Sequence, residues 1–143
     1  MKSITIETII ASTIEHVWKC WTMPADIMVW NHASDDWHCP KVENDVRDGG
    51  RFSFTMAAKD ASVSFDFSGT YTAVVPQEKI AYVMDKAPDE ATGRTAVTTF
   101  EQKEGGVRVM TTFDMESMNT EELQRAGWQA ILDNFKKRAE AAA

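Results

Sequence analysis

The chain predicts an α+β fold in which one antiparallel sheet, apolar on a single face, is covered by a long C-terminal helix. Three observations carry that reading. After residue 40 come six segments of strand character, separated only by short turns, so consecutive strands must run antiparallel. Their apolar residues fall on alternate positions, and such a face requires one covering layer. Residues 119–139 then form a helix-period stretch with a wide apolar arc: Leu123, Ala126, Gly127, Trp128, Ala130, Ile131, Leu132, Phe135 and Ala139.

The elements follow in order. Residues 2–10 alternate as a strand. Ser12 with Glu15 three positions later has the form of a capping box, and Ile14, Val17, Trp18 and Trp21 follow at helical spacing. Pro24 ends that helix and suits the first turn of a second one, through Ile27 and Trp30. Residues 31–40 have no clear period and read as a loop. Residues 41–47 and 51–58 flank Asp48-Gly49-Gly50, a hairpin signal. Residues 62–75 read as one long strand, with Val63, Phe65, Phe67, Gly69, Tyr71 and Ala73 on one face and serines, threonines and Asp66 on the other. Pro76-Gln77 turns the chain into Ile80, Tyr82 and Met84. Residues 86–94 read as a loop. Residues 95–103 and 107–115 form a hairpin around Gly105-Gly106, and Asn119 with Glu122 caps the last helix.

The totals bound the function. A chain of 143 residues is read as one domain, residues 1–143, with a core that needs no disulfide or metal staple. Net charge is −7 with no basic stripe, which argues against nucleic acid and against anionic membrane surfaces. The N-terminal segment lacks the apolar run of a signal peptide and no stretch is long enough to span a bilayer; with only two cysteines, Cys20 and Cys39, the expectation is a cytoplasmic protein with reduced thiols. Five Trp, seven Phe and eight Met are many for this length. Methionine serves both as gap filler and at adaptable binding surfaces, and composition alone leaves both open.

The order of elements and several motifs together resemble the helix-grip fold of the START-like (SRPBCC) superfamily. Within it, the similarity is to the family named after the C-terminal domain of the activator of heat-shock protein 90 ATPase. The residues that carry it are Ala11, Val17-Trp18, Trp21-Thr22-Met23-Pro24, Trp30, Asp48-Gly49-Gly50-Arg51-Phe52, Gly69-Thr70-Tyr71, Pro76 to Ile80, and Gly127-Trp128 with Ile131-Leu132. They span nearly the whole chain. The resemblance implies a curved sheet wrapped around the C-terminal helix, with a cavity between them. It implies no catalytic residues, because these differ from family to family across the superfamily.

The expected function is binding of a small hydrophobic molecule in that cavity. The expected walls are Phe54, Met56, Phe65, Phe67, Tyr71, Tyr82 and Phe113 from the strands, and Trp30, Gly127, Trp128, Leu132 and Phe135 from the helices. Gly127 costs about 1 kcal/mol against alanine in mid-helix, which suggests close packing or a space kept open. His32, Asp36 and His38 follow the Trp30 helix and could form a polar mouth. They sit with Asp35 and Cys39, all metal-ligand types, but their spacing fits no recognised metal motif, so no metal and no other cofactor is expected. Both glycine pairs lie in hairpins rather than opening a helix, so neither is expected to bind phosphate. No catalytic motif is present. An enzyme of the cyclase or hydrolase kind, acting on an aromatic or polyketide-like substrate near His32, Asp36 and His38, is the alternative. A chaperone-linked interaction module is a third reading. Either a monomer or a homodimer is compatible with the sequence.

Overall fold

In a computed structural model the chain is described over residues 2–86 and 93–141. Most of the loop expected at residues 86–94 therefore lies outside the described residues. The elements are β1 (Ser3–Ile10), α1 (Ile14–Thr22), α2 (Pro24–Trp30), β2 (Trp37–Asn44), β3 (Arg51–Ala58), β4 (Ser64–Val75), β5 (Lys79–Met84), β6 (Thr95–Lys103), β7 (Gly106–Asp114) and α3 (Glu121–Ala141). The seven strands form one antiparallel sheet in the order β1-β7-β6-β5-β4-β3-β2. The sheet curls into a half-barrel around α3, which is the helix-grip arrangement.

Local chemistry places three boundaries, and the alternation of one strand, differently from the sequence reading. Thr13, not Ser12, caps α1: its hydroxyl accepts from His16 N at 3.2 Å. Thr120, not Asn119, caps α3 by accepting from Leu123 N at 3.2 Å. Asn119 is taken up instead by Glu116, whose carboxylate accepts from its backbone N at 2.6 Å and its Nδ2 at 3.1 Å. Strand β2 begins at Trp37, inside the stretch expected to be a loop. Its register shifts between His38 and Lys41, and Pro40 falls in that bulge on the outermost strand, where a missing N–H breaks no ladder. A second bulge, between Tyr71 and Ala73, reverses the alternation of β4. Val74, opposite Ile80, therefore packs on the core in the place expected for Ala73.

Helix α3 runs alongside β1 and satisfies its free edge. The outward carbonyls of Thr5, Glu7 and Ile9 accept from Arg125 (2.8 Å), Gln129 (3.5 Å) and Lys136, and Glu140 accepts from Ala11 N at 2.8 Å. An unpaired strand edge invites further strands, and this ladder closes it. The buried stripe of α3 is narrower than expected. Gln124, Leu132, Phe135 and Ala139 are buried, whereas Ala126 is exposed and Leu123 is 64% exposed.

The C-terminal half of α3 packs solidly. Phe135 meets Trp21 at 4.9 Å and Trp30 at 5.1 Å edge-on, and Phe100 meets Trp18 at 5.3 Å and Trp21 at 5.7 Å. Asp26 of α2, only 5% exposed, is fixed beneath them by Lys19 of α1 (3.1 Å) and Arg138 of α3 (2.9 Å), so one carboxylate joins all three helices. Burial alone would raise the Asp26 pKa, but the two cations outweigh it and hold the carboxyl below its ordinary value.

Candidate functional site: a cavity under the N-terminal half of the long helix

A cavity of about 350 Å³ lies between the sheet and the N-terminal half of α3. Six elements build its walls. Strands β3 and β4 supply Phe52, Phe54, Met56, Phe65, Phe67 and Tyr71; β5 supplies Ile80 and Tyr82; α1 and α2 supply Trp21, Trp30 and the adjoining Asn31; α3 supplies Gln124, Trp128, Ile131 and Leu132. Ile6, Thr98 and Thr111 form the floor on β1, β6 and β7, and Arg94, Glu116 and Asn119 stand at the loop end. Period-two alternation puts the strand residues on one face, because successive side chains of a strand point to opposite sides.

Phe52 organises the aromatic wall. Its ring lies 5.0–5.6 Å from those of Phe54, Phe67, Tyr71 and Tyr82. Gly69 opposite it is required by close approach: a Cβ there would come within 2.4 Å of Val83 O and 2.8 Å of the Phe52 ring. The Tyr71 hydroxyl donates to Asn44 Oδ1, and Asn44 Nδ2 donates to Thr22 O at 2.9 Å, which ties the wall to α1. Burial pushes the Tyr71 and Tyr82 phenols well above their ordinary pKa, so both stay protonated donors. Unlike Tyr71, Tyr82 has no hydrogen-bond partner for its hydroxyl among the described residues.

The other polar groups of the lining differ in how far they are satisfied. Gln124 is fully used: its Oε1 accepts from Glu116 N (2.9 Å) and its Nε2 donates to Glu116 O (3.1 Å) and Asn119 O (2.8 Å), stapling the loop before α3 to the helix. Thr98 and Thr111 share a single hydrogen bond of 2.7 Å between their hydroxyls. Arg94 is engaged as well.

The residues singled out from sequence distribute as follows. Trp30, Phe54, Met56, Phe65, Phe67, Tyr71, Tyr82, Trp128 and Leu132 line the cavity. Phe113 stands behind the wall, stacked under Trp128 at 3.9 Å and 7°. Phe135 belongs to the solid end, and Gly127 is not in the lining. A Cβ at Gly127 would meet no atom within 4 Å, so neither close packing nor a kept space inside the cavity explains that glycine.

His32, Asp36 and His38 lie outside the lining. Asp36 and His38 are exposed, and Asp36 accepts from Ser34 Oγ at 2.6 Å. His32 is half-buried, and its carbonyl accepts from Asn134 Nδ2 at 2.7 Å. Burial first, and then Lys59, lower the His32 pKa and favour the neutral ring. Among the described residues no three His, Cys, Asp or Glu side chains gather as a metal site. Cys20 and Cys39 are buried, and burial raises both thiols, which keeps them protonated and unreactive. His16, 3.4 Å from Cys20 Sγ, directs its Nε2 to Ala139 O at 2.9 Å.

Missing from the expected walls were Phe52, Trp21, Ile6, Ile80 and Ile131, the loop-end residues Arg94, Glu116 and Asn119, and the polar residues Thr98, Thr111, Gln124 and Asn31. The two threonines were detectable in principle. Alternation along Ala96-Thr98-Phe100 and Val107-Val109-Thr111-Phe113 puts both on the apolar face.

The model of the family described as activator of Hsp90 ATPase homolog 1-like protein matches residues 11–140, and the chain belongs to that family. Solved structures agree. The chain is 45% identical to the AHSA1-like protein from Aeromonas hydrophila, covering 99% of this chain and 94% of that one, with a TM-score of 0.89. A protein from Cytophaga hutchinsonii shares 43% identity over 98% and 93% of the two chains, with a TM-score of 0.80. A Chromobacterium violaceum protein at 21% identity, covering 96% of each chain, shares the fold with a TM-score of 0.86. No curated protein matches the chain. Among the described residues no helix is long and apolar enough to cross a membrane.

Proposed function

We propose that this chain is a cytoplasmic, single-domain binding protein that holds a small hydrophobic molecule between the sheet and the N-terminal half of α3. One observation carries the reading: about 350 Å³ of space, walled by aromatic rings, in a chain whose other half is packed solid. Ligand sites are typically concave and mostly apolar, with a few placed polar groups, and measure roughly 300–1,000 Å³. The space is at the small end of that range, so the ligand is of one- or two-ring size.

A cyclase-like or hydrolase-like activity draws no support from His32, Asp36 and His38, none of which lines the cavity. A chaperone-linked module acting through its acidic surface would need no interior space, so the cavity favours the binding reading over that one as well.

The test compares native and denatured mass spectra of the freshly purified protein. The native spectrum is expected to carry an organic adduct that denaturation removes. Ile131→Trp, which fills the cavity from α3, is expected to return the bare mass while the protein stays folded. An adduct retained by that variant would put the ligand elsewhere and overturn the reading.

A further inference from the structure

The Thr98–Thr111 pair has a hydrogen it cannot use within the protein. Two threonine hydroxyls carry two donor hydrogens, and one bond between them consumes one. Neither hydroxyl has another partner among the described residues. Both residues are buried, 1% and 3% exposed, and both line the cavity. The pair sits in a cross-strand row, Ile6–Thr111–Thr98–Ile80, whose end members are apolar. Valine has the same shape and suits a strand equally well, so packing gives no reason for hydroxyls here. A buried hydroxyl donor without a partner is unfavourable. Tyr82, which lines the same cavity and whose hydroxyl makes no hydrogen bond among the described residues, is a diagonal neighbour of Thr98 on the same face of the sheet.

We propose that the bound molecule carries a neutral oxygen acceptor, such as a ketone, ester or amide carbonyl, which receives the spare hydrogen of the Thr98–Thr111 pair, with Tyr82 as a second donor. This rests on the cavity reading above and specifies its ligand class. A carbonyl oxygen has two lone pairs and can take both bonds. A carboxylate is the poorer fit. Its charge would have to be desolvated against neutral hydroxyls, Glu116 stands in the same lining, and Arg94 is already engaged. The pair is also a redundant donor: if either threonine becomes valine, the remaining hydroxyl still has a hydrogen to give.

The experiment uses a matched pair of probes, 2-acetylnaphthalene and 2-ethylnaphthalene, titrated by tryptophan fluorescence into the full chain. Wild type is expected to bind the ketone about five- to tenfold more tightly than the hydrocarbon, the worth of roughly one net hydrogen bond. Thr98→Val alone and Thr111→Val alone should each keep that preference. The double variant should lose most of it, with hydrocarbon affinity unchanged or improved. Tyr82→Phe should reduce it, which checks the same site without touching the sheet interior. Thermal melts of all variants establish that they are folded. Equal affinity for both probes in wild type, or a preference that survives the double variant, overturns this inference and leaves the cavity reading standing. Binding of neither probe to wild type overturns the cavity reading, and the inference with it.

Discussion

The two halves of α3 cover the same sheet with opposite results. From Leu132 onward the helix is packed: Phe135 and Ala139 are fully buried, and Asp26 ties the three helices together. Before Leu132 the helix roofs a space. Trp128 stacks on Phe113 and meets Phe67 of β4 only edge-on at 6.3 Å, Ile131 is half-buried, and Gln124 spends its amide on the preceding loop. Both halves are rich in aromatics, so hydrophobicity alone does not decide which fills. The difference lies in what closes each end. On the packed side α1 and α2 press Trp18, Trp21 and Trp30 against Phe100 and Phe135. On the hollow side α3 meets the sheet through Arg125 and Gln129 on β1 and Trp128 on Phe113, and the loop residues Glu116 and Asn119 stand at the end of the cavity.

Truncation should separate the halves most strongly. Phe135→Ala removes a fully buried ring from the packed half and should cost about 3–5 kcal/mol in denaturant unfolding. Ile131→Ala, beside existing space, should cost less than about 1.5 kcal/mol, because the lost methyl groups leave little new cavity. Similar costs for the two would erase the proposed contrast.

The Asp26 link comes next in size. Removing one partner of a buried pair costs about 3–5 kcal/mol, but Lys19 and Arg138 are 59% and 34% exposed and can rehydrate, so Asp26→Ala should cost about 2 kcal/mol. Its pH dependence has a definite sign. The folded pKa is lowered from 3.8, so the contribution is present above that value and is lost as pH falls through the folded value. Asp26→Asn should therefore flatten the acid limb of the stability curve. An unchanged acid limb would place acid sensitivity on other carboxylates.

The smallest effect belongs to Gly127. A Cβ there meets nothing within 4 Å, so Gly127→Ala should stabilise the protein by about 1 kcal/mol through helix propensity and leave probe binding unaltered. Destabilisation, or a change in binding, would mean that the hollow half uses that position after all.

These contrasts also show what could be read from the chain alone. Hairpins flanked by alternating residues, and Pro24 opening a helix, are local signals, and they led to the right elements. What escaped was set by single-residue events that periodicity averages over. Two bulges, at His38–Lys41 and Tyr71–Ala73, hid the start of β2 and reversed the end of β4. Neighbouring residues competed for each helix cap, and Thr13 and Thr120 prevailed over Ser12 and Asn119. Among the cavity residues, most aromatic ones were visible by type, though Phe52 and Trp21 were absent from the expected walls. Thr98, Thr111, Gln124 and Asn31 were not visible, since a polar residue on an apolar face is exceptional and only its partners explain it. Gly127 misled because a glycine amid large apolar residues resembles a spacer, whereas its surroundings are open.

The central claim is that one half of the grip is hollow and the other solid. The most direct measurement is an amide and indole chemical-shift map of the protein titrated with 2-acetylnaphthalene. The expected result is a saturable set of shifts at Ile6, Tyr82, Thr98, Thr111, Ile131 and the Trp128 indole, with Trp18 and Ala139 still. Shifts confined to the outer face of α2, or spread through the Phe135 end, would contradict it.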